Sequence, residues 1–197
     1  MLTAAQDQAL PTRWRKINIE KREGTSLCQL CNVKDETMFH ILSECTKIAE
    51  TEYRKRHDGV ARLVHWNLCK QYGLNRSGKW YDHKIDTVIE NEKAKIVWDM
   101  RIQTDQMITA RRPDIVVRDK MMDHTWLIDV AVPGDGRIKE KEVEKIDKYQ
   151  DLARKLRKVW NTSVTVVPIV IGALGAVENL EEELIKQNIE RKKILKS

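Results

Sequence analysis

Two runs decide how this chain folds: Arg111-Arg112-Pro113-Asp114-Ile115-Val116-Val117 and, after the polar stretch Arg118 to Thr125, Trp126-Leu127-Ile128-Asp129-Val130-Ala131-Val132. Both are rich in β-branched residues and together they flank a polar tip, which is the pattern of an antiparallel hairpin. A turn centred on Met121-Met122 sets Asp114 opposite Asp129. Their side chains then share one face, with Cβ atoms roughly 4.5–5.5 Å apart, whereas a slip of one residue would separate them. Asp129 also interrupts an otherwise apolar run, and a lone buried carboxylate is costly or shifts its pKa. Two neighbouring carboxylates repel unless a cation lies between them, and a hard divalent ion such as Mg²⁺ suits such a pair plus a backbone carbonyl. A buried ion pair of Asp129 with Arg112 or Arg101 would meet the same need.

Working outward, Ile96 to Thr104 reads as a strand before the hairpin strands Asp114 to Asp119 and Thr125 to Val132. Val164 to Ile171 reads as a fourth strand, apolar enough to be buried on both faces. A charged helix is predicted from about Arg137 to Trp160. Val143, Ile146, Tyr149, Ala153, Leu156 and Trp160 form its apolar arc, with Lys145 inside the arc and Lys148 at its edge. A lysine on that face either snorkels to water or reaches the carboxylate pair, where it could stabilise charge developing on a phosphate. Lys141, Arg154, Lys155, Arg157 and Lys158 read as a basic face able to hold a phosphate backbone, with Arg111 and Arg112 as further candidate contacts. Helices are also predicted over Thr51 to Tyr72, over Asp82 to Lys95, and after Gly175. On the second of these, Glu90 or Glu92 could add a metal-side carboxylate. The fold class is α+β, a mixed sheet flanked by helices.

Upstream stands Cys28-x2-Cys31-x8-His40-x4-Cys45. A Cys-x2-Cys turn aims two thiolates at one point, and a short helix over Met38 to Glu44 would fold His40 and Cys45 back over it to complete a tetrahedral zinc site. So small a module has little core of its own, and the Zn²⁺ would hold its fold. Three buried thiols with a helical histidine between them is the blander alternative. Cys69 lies too far along to complete the set and reads as core. The organisation is then a basic lead-in (1–23), the zinc module (24–50), a helical connector (51–81) and the sheet domain (82–197).

The 197 residues carry 36 Lys+Arg against 30 Asp+Glu, a net charge of +6. That excess leans toward a polyanionic partner, although charge by itself does not define function. The first residues lack the apolar stretch of a signal peptide, and no window approaches 18 uncharged apolar residues, so export and membrane insertion are not expected. A reducing compartment follows, in which the cysteines serve as metal ligands or buried thiols.

Pro113-Asp114, then 14 residues, then Asp129 resembles the PD-(D/E)xK nuclease motif, and the predicted element order matches that fold. With the upstream Cys-Cys-His-Cys knuckle, residues 11 to 180 resemble the C-terminal region of site-specific non-LTR retrotransposon proteins, in which a zinc knuckle precedes a restriction-like endonuclease domain. The plain motif has lysine two residues after the second acid, and here that position is Ala131. Relatives place the lysine on the following helix near a tyrosine, and Glu144-Lys145-Ile146-Asp147-Lys148-Tyr149 is similar to that segment. Lys145 or Lys148 would substitute, and the helical wheel favours Lys145. The resemblance implies an Mg²⁺-dependent DNA endonuclease that nicks its target, so that the freed 3′-hydroxyl primes reverse transcription of the element's RNA. It also implies a reverse transcriptase domain on a parent polyprotein and action in the nucleus, and a knuckle that contacts nucleic acid. The competing expectations are a zinc-stabilised nucleic-acid-binding module without cleavage, and a recruited scaffold that keeps only the fold.

Overall fold

Strands β1 (Val88–Glu90), β2 (Ala94–Trp98), β3 (Ile115–Asp119), β4 (His124–Ala131) and β5 (Ser163–Val170) form one mixed sheet in that spatial order. The first three contacts between neighbours are antiparallel, while β5 runs parallel to β4. These positions come from a computed structural model that describes residues 4, 5, 7, 9–74, 78–104 and 108–177. The last predicted helix, with its basic tail, lies outside the described residues. The described chain divides into two compact units. One comprises residues up to 57 together with 132–138 and 171–177; the other comprises 58–131 and 139–170.

The sheet belongs to the second unit. In β3 and β4 Ile115 pairs with Ile128 and Val117 with Trp126, the register that a turn at Met121-Met122 dictates. Asp119 fixes that turn, its Oδ1 accepting the backbone N–H groups of Met121 and Met122 at 2.9 Å each. The parallel step from β4 to β5 needs a crossover, and helix α3 (Ile138–Val159) supplies it; helices α1 (Arg13–Asn18) and α2 (Arg54–Gln71) precede the sheet in the chain.

Strand alternation sorts the side chains onto two faces. Ile96, Ile115, Val117, Ile128, Val130 and Val167 pack with Ala61, Val64 and Leu68 of α2. Val97, Val116, Leu127, Val164 and Val166 pack with Tyr149, Leu152, Ala153 and Leu156 of α3. Both faces are covered, so β4 and β5 can be almost wholly apolar. Ala61, Val64, Leu68 and Cys69 pack in the sheet core, so this part of the segment read as a connector belongs to the sheet unit. On α3 the predicted arc narrows: Val143 is 59% and Trp160 40% exposed, and Leu152 takes their place in the core.

The helix expected over Asp82 to Lys95 is replaced by a single turn, Trp80–Asp82, followed by the β1–β2 hairpin. Ile85, Val88 and Ile89 have helical spacing, but Asn91 makes the turn instead. Its side-chain Oδ1 accepts the N–H groups of Lys93 and Ala94 at 2.9 Å each, and its own N–H meets the Ala94 carbonyl. β2 stops at Trp98, short of the expected Thr104, because Asp99 takes a left-handed φ of 44°.

The first unit has little regular structure. Thr12 caps α1 by accepting the N–H of Arg15. The buried carboxylate of Glu36 receives the backbone N–H groups of Arg13 (3.0 Å) and Gln29 (2.9 Å), tying α1 to the cysteine loop. Among its described residues the buried hydrophobic side chains are few, and two of them are Cys28 and Cys45.

Candidate metal centre and carboxylate–lysine site

Loop geometry gathers the four predicted zinc ligands. The Cys28 N–H donates to the Lys34 carbonyl and the Asn32 N–H to the Cys28 carbonyl, both at 2.8 Å, with Asn32 at a left-handed φ of 54°. That knuckle turns Cys31 back toward Cys28. Thr37 accepts the His40 N–H at 3.0 Å, capping the turn that starts at Met38 and runs through His40–Glu44. The Cys45 N–H then bonds the His40 carbonyl at 2.7 Å, which brings Cys45 under the loop.

The four ligand atoms lie within 4.8 Å of one another. Cys28 Sγ and Cys45 Sγ are 3.9 Å apart, and Cys31 Sγ is 3.2 Å from His40 Nε2. Around a tetrahedral zinc ion, two sulfurs would stand about 3.8 Å apart and a sulfur and a nitrogen about 3.5 Å apart, given the usual bond lengths. The donor set and its separations therefore fit zinc. The backbone N–H of Val33 lowers the Cys31 pKa to about 6, whereas burial raises that of Cys45.

The second centre forms where β3 and β4 meet α3. Asp129 is 2% exposed. It faces α3, as Leu127 does two residues earlier, so the helix must satisfy it. Lys145 places its Nζ against Asp129 Oδ2, Lys148 Nζ lies 3.6 Å from Oδ1, and the Tyr149 hydroxyl donates to Oδ1 at 2.6 Å. Residues 145, 148 and 149 share a helix face because they are separated by three and four positions. Tyr149 is fully buried and its hydroxyl also lies 2.9 Å from the Arg112 carbonyl. Burial, then the Asp129 hydrogen bond and charge, push the Tyr149 pKa far above its usual value, so it remains a donor at any physiological pH. The Lys148 ammonium, more exposed than that of Lys145, also sits 4.6 Å above the Tyr149 ring.

Asp114 occupies the position next to Ile115, opposite Asp129 by extension of the register. Its Oδ2 accepts the Val130 N–H at 2.6 Å, which fixes the carboxyl group against β4 one residue beyond Asp129. Arg112 makes no pair with Asp129. Its guanidinium grips Asp99 through two hydrogen bonds of 2.7 Å each. Asp99 was not singled out in the sequence; it follows β2, and its N–H also bonds the Asp114 carbonyl at 2.7 Å.

Glu90 does not join this site. On β1 it pairs with Lys95 and Lys120. Through Lys95 and Arg118 it lies in register four residues along β3 from Asp114, about 13 Å at the strand rise. The error follows from the helix expected there, which placed Glu90 and Glu92 one turn from the sheet. The predicted basic face is likewise broken up. Lys141 pairs with Glu144 and Arg154 with Asp151, and the Arg157 guanidinium caps the Val164 carbonyl. Lys158 stays exposed, Lys155 is half-buried, and Arg111 buries its Nε.

The chain matches no protein-family model and no curated protein sequence. Among the described residues, no helix is long and apolar enough to cross a membrane.

Proposed function

We propose that this chain is the zinc knuckle and restriction-like endonuclease region of a non-LTR retrotransposon protein, nicking target DNA to prime reverse transcription. The observation that carries this reading is Lys145. The PD-(D/E)xK pattern requires a lysine beside the second acid, the strand offers Ala131 instead, and the neighbouring helix sets an ammonium on Asp129. Asp114 and Asp129 are hard oxygen donors of the type Mg²⁺ prefers, and they would hold it with water completing the octahedron. Bound there, Mg²⁺ would supply Lewis-acid polarisation of a phosphate and an acidified water.

The protein's own residues have separable tasks. Tyr149 orients the Asp129 carboxylate, and the Val130 N–H orients that of Asp114. Lys145, with a side chain 16% exposed, can turn from Asp129 to meet negative charge growing on a phosphate. Exposed lysines and arginines such as Arg112 and Lys158 would contact the DNA backbone, and the knuckle would contact DNA or the element's RNA. A reverse transcriptase domain on the parent polyprotein would use the nick, in the nucleus.

A nicking assay on supercoiled plasmid with Mg²⁺ tests this. Asp129→Asn and Lys145→Met should each lower the rate by about 100-fold or more, while Lys148→Met should leave most of it. One observation favours a second reading, a nucleic-acid-binding module without cleavage: Asp129 is already neutralised by its helix partners. Folded wild-type protein that shifts DNA on a gel but never nicks it would establish that alternative.

A further inference from the structure

Helix α2 carries His65 and Cys69 one turn apart, both completely buried within an otherwise aliphatic surface of Ala61, Val64 and Leu68. A third polar group joins them. His83, 8% exposed, follows the turn Trp80–Asp82 and leads toward β1. One ligand atom from each of the three lies within 4.8 Å of the other two. Cys69 Sγ is 3.6 Å from His65 Nδ1, close to the sulfur–nitrogen separation of about 3.5 Å around a tetrahedral zinc ion. His65 Nδ1 and His83 Nε2 are 2.8 Å apart, the distance of an imidazole–imidazole hydrogen bond, which an ion would open by about 0.5 Å.

We propose that His65, Cys69 and His83 bind a second transition-metal ion of the zinc class, pinning α2 to the segment that enters β1. An i, i+4 histidine and cysteine on a helix present two borderline-to-soft donors to one point, and the third arrives from a different element. Two imidazoles and a thiol are a poor choice for an apolar core, and a good one for zinc. Two neutral imidazoles and one thiolate leave a bound divalent ion with one positive charge. The negative charge of Asp86 acts on all three residues and would offset that charge without joining the ligand set. The edge of Trp98 closes against His65, with ring centroids 5.5 Å apart and planes at 87°. Burial of all three side chains keeps the position away from substrate, so the ion would serve to hold structure. The proposal stands on residues outside the nuclease reading and does not depend on it.

Zinc content of the full chain, measured by native mass spectrometry and elemental analysis, tests it. Wild-type protein should hold two equivalents. Cys28→Ser/Cys31→Ser should hold one, and so should Cys69→Ser/His83→Ala. Cobalt loaded into the first variant should give tetrahedral d–d bands with one weak thiolate charge-transfer band, and Cys69→Ser should remove that band. Folded wild-type protein with a single equivalent, lost on Cys28→Ser/Cys31→Ser, overturns the proposal even if the His83 variant fails to fold. A second equivalent that survives Cys69→Ser/His83→Ala overturns it too.

Discussion

The knuckle unit and the sheet unit differ in how much apolar side chain they bury. In the sheet unit, branched side chains from the strands and two helices interlock on both faces of the sheet, and that burial supplies most of its stability. In the knuckle unit Cys28 and Cys45 are among the best-buried residues, and a few turns and one buried glutamate hold the loop that carries the cluster. Even its apolar contacts are close-fitting rather than extensive: a Cβ on Gly134 would fall 1.9 Å from the Phe39 ring. A short segment can thus be ordered by converging donor atoms where it cannot be ordered by area.

Metal removal should separate the two units most sharply. With a zinc chelator, amide resonances of residues 26–45 should collapse to the disordered range while those of β3, β4 and β5 stay dispersed. Retention of the knuckle resonances would mean that its turns, not an ion, hold it. A core truncation should act the other way round. Leu127 is fully buried, and Leu127→Ala should cost about 3 kcal/mol in denaturant unfolding. Zinc affinity of the knuckle should not change, and a loss of affinity would show that the truncation acts beyond the sheet core.

The smallest expected effect lies at the hairpin tip. His124 stacks on Trp126 with ring centroids 4.0 Å apart and hydrogen-bonds Thr165 at 2.9 Å; burial lowers its pKa, an effect the Asp119 charge opposes and Arg118 and Arg157 reinforce. The unfolded chain therefore takes up this proton at a higher pH than the folded one. Stability from this group is full above about pH 6.5 and declines as the pH falls below it. The stability difference between wild type and His124→Gln, followed by tryptophan fluorescence, should narrow between pH 7 and 5; a constant difference would contradict the shift. Zinc loss at low pH affects both proteins equally and cancels in the comparison.

Much of the sheet was legible because burial on both faces leaves long β-branched runs, and a polar tip fixes their register to the residue. The knuckle was legible because ligand identity and spacing survive without any knowledge of packing. Lys145 could be placed on the inner arc of its helix from periodicity. The hairpin over 88–98 was misread because Ile85, Val88 and Ile89 fit a helical period, whereas the local hydrogen bonds of Asn91 decide the turn. Cys69 was read as core, which its burial supports, yet His65 four residues earlier on the same helix was the signal that it has ligand-type company.

Sequence alone determined the element types in the hairpin, the crossover helix and the Cys/His cluster that could hold a metal ion, because each depends on order and spacing within a short stretch. Tertiary structure decided which cation meets Asp129, that Glu90 stands at the far end of the sheet, and that His83 joins His65 and Cys69. Those outcomes depend on how separate elements pack, and chain separation carries no record of distance in space.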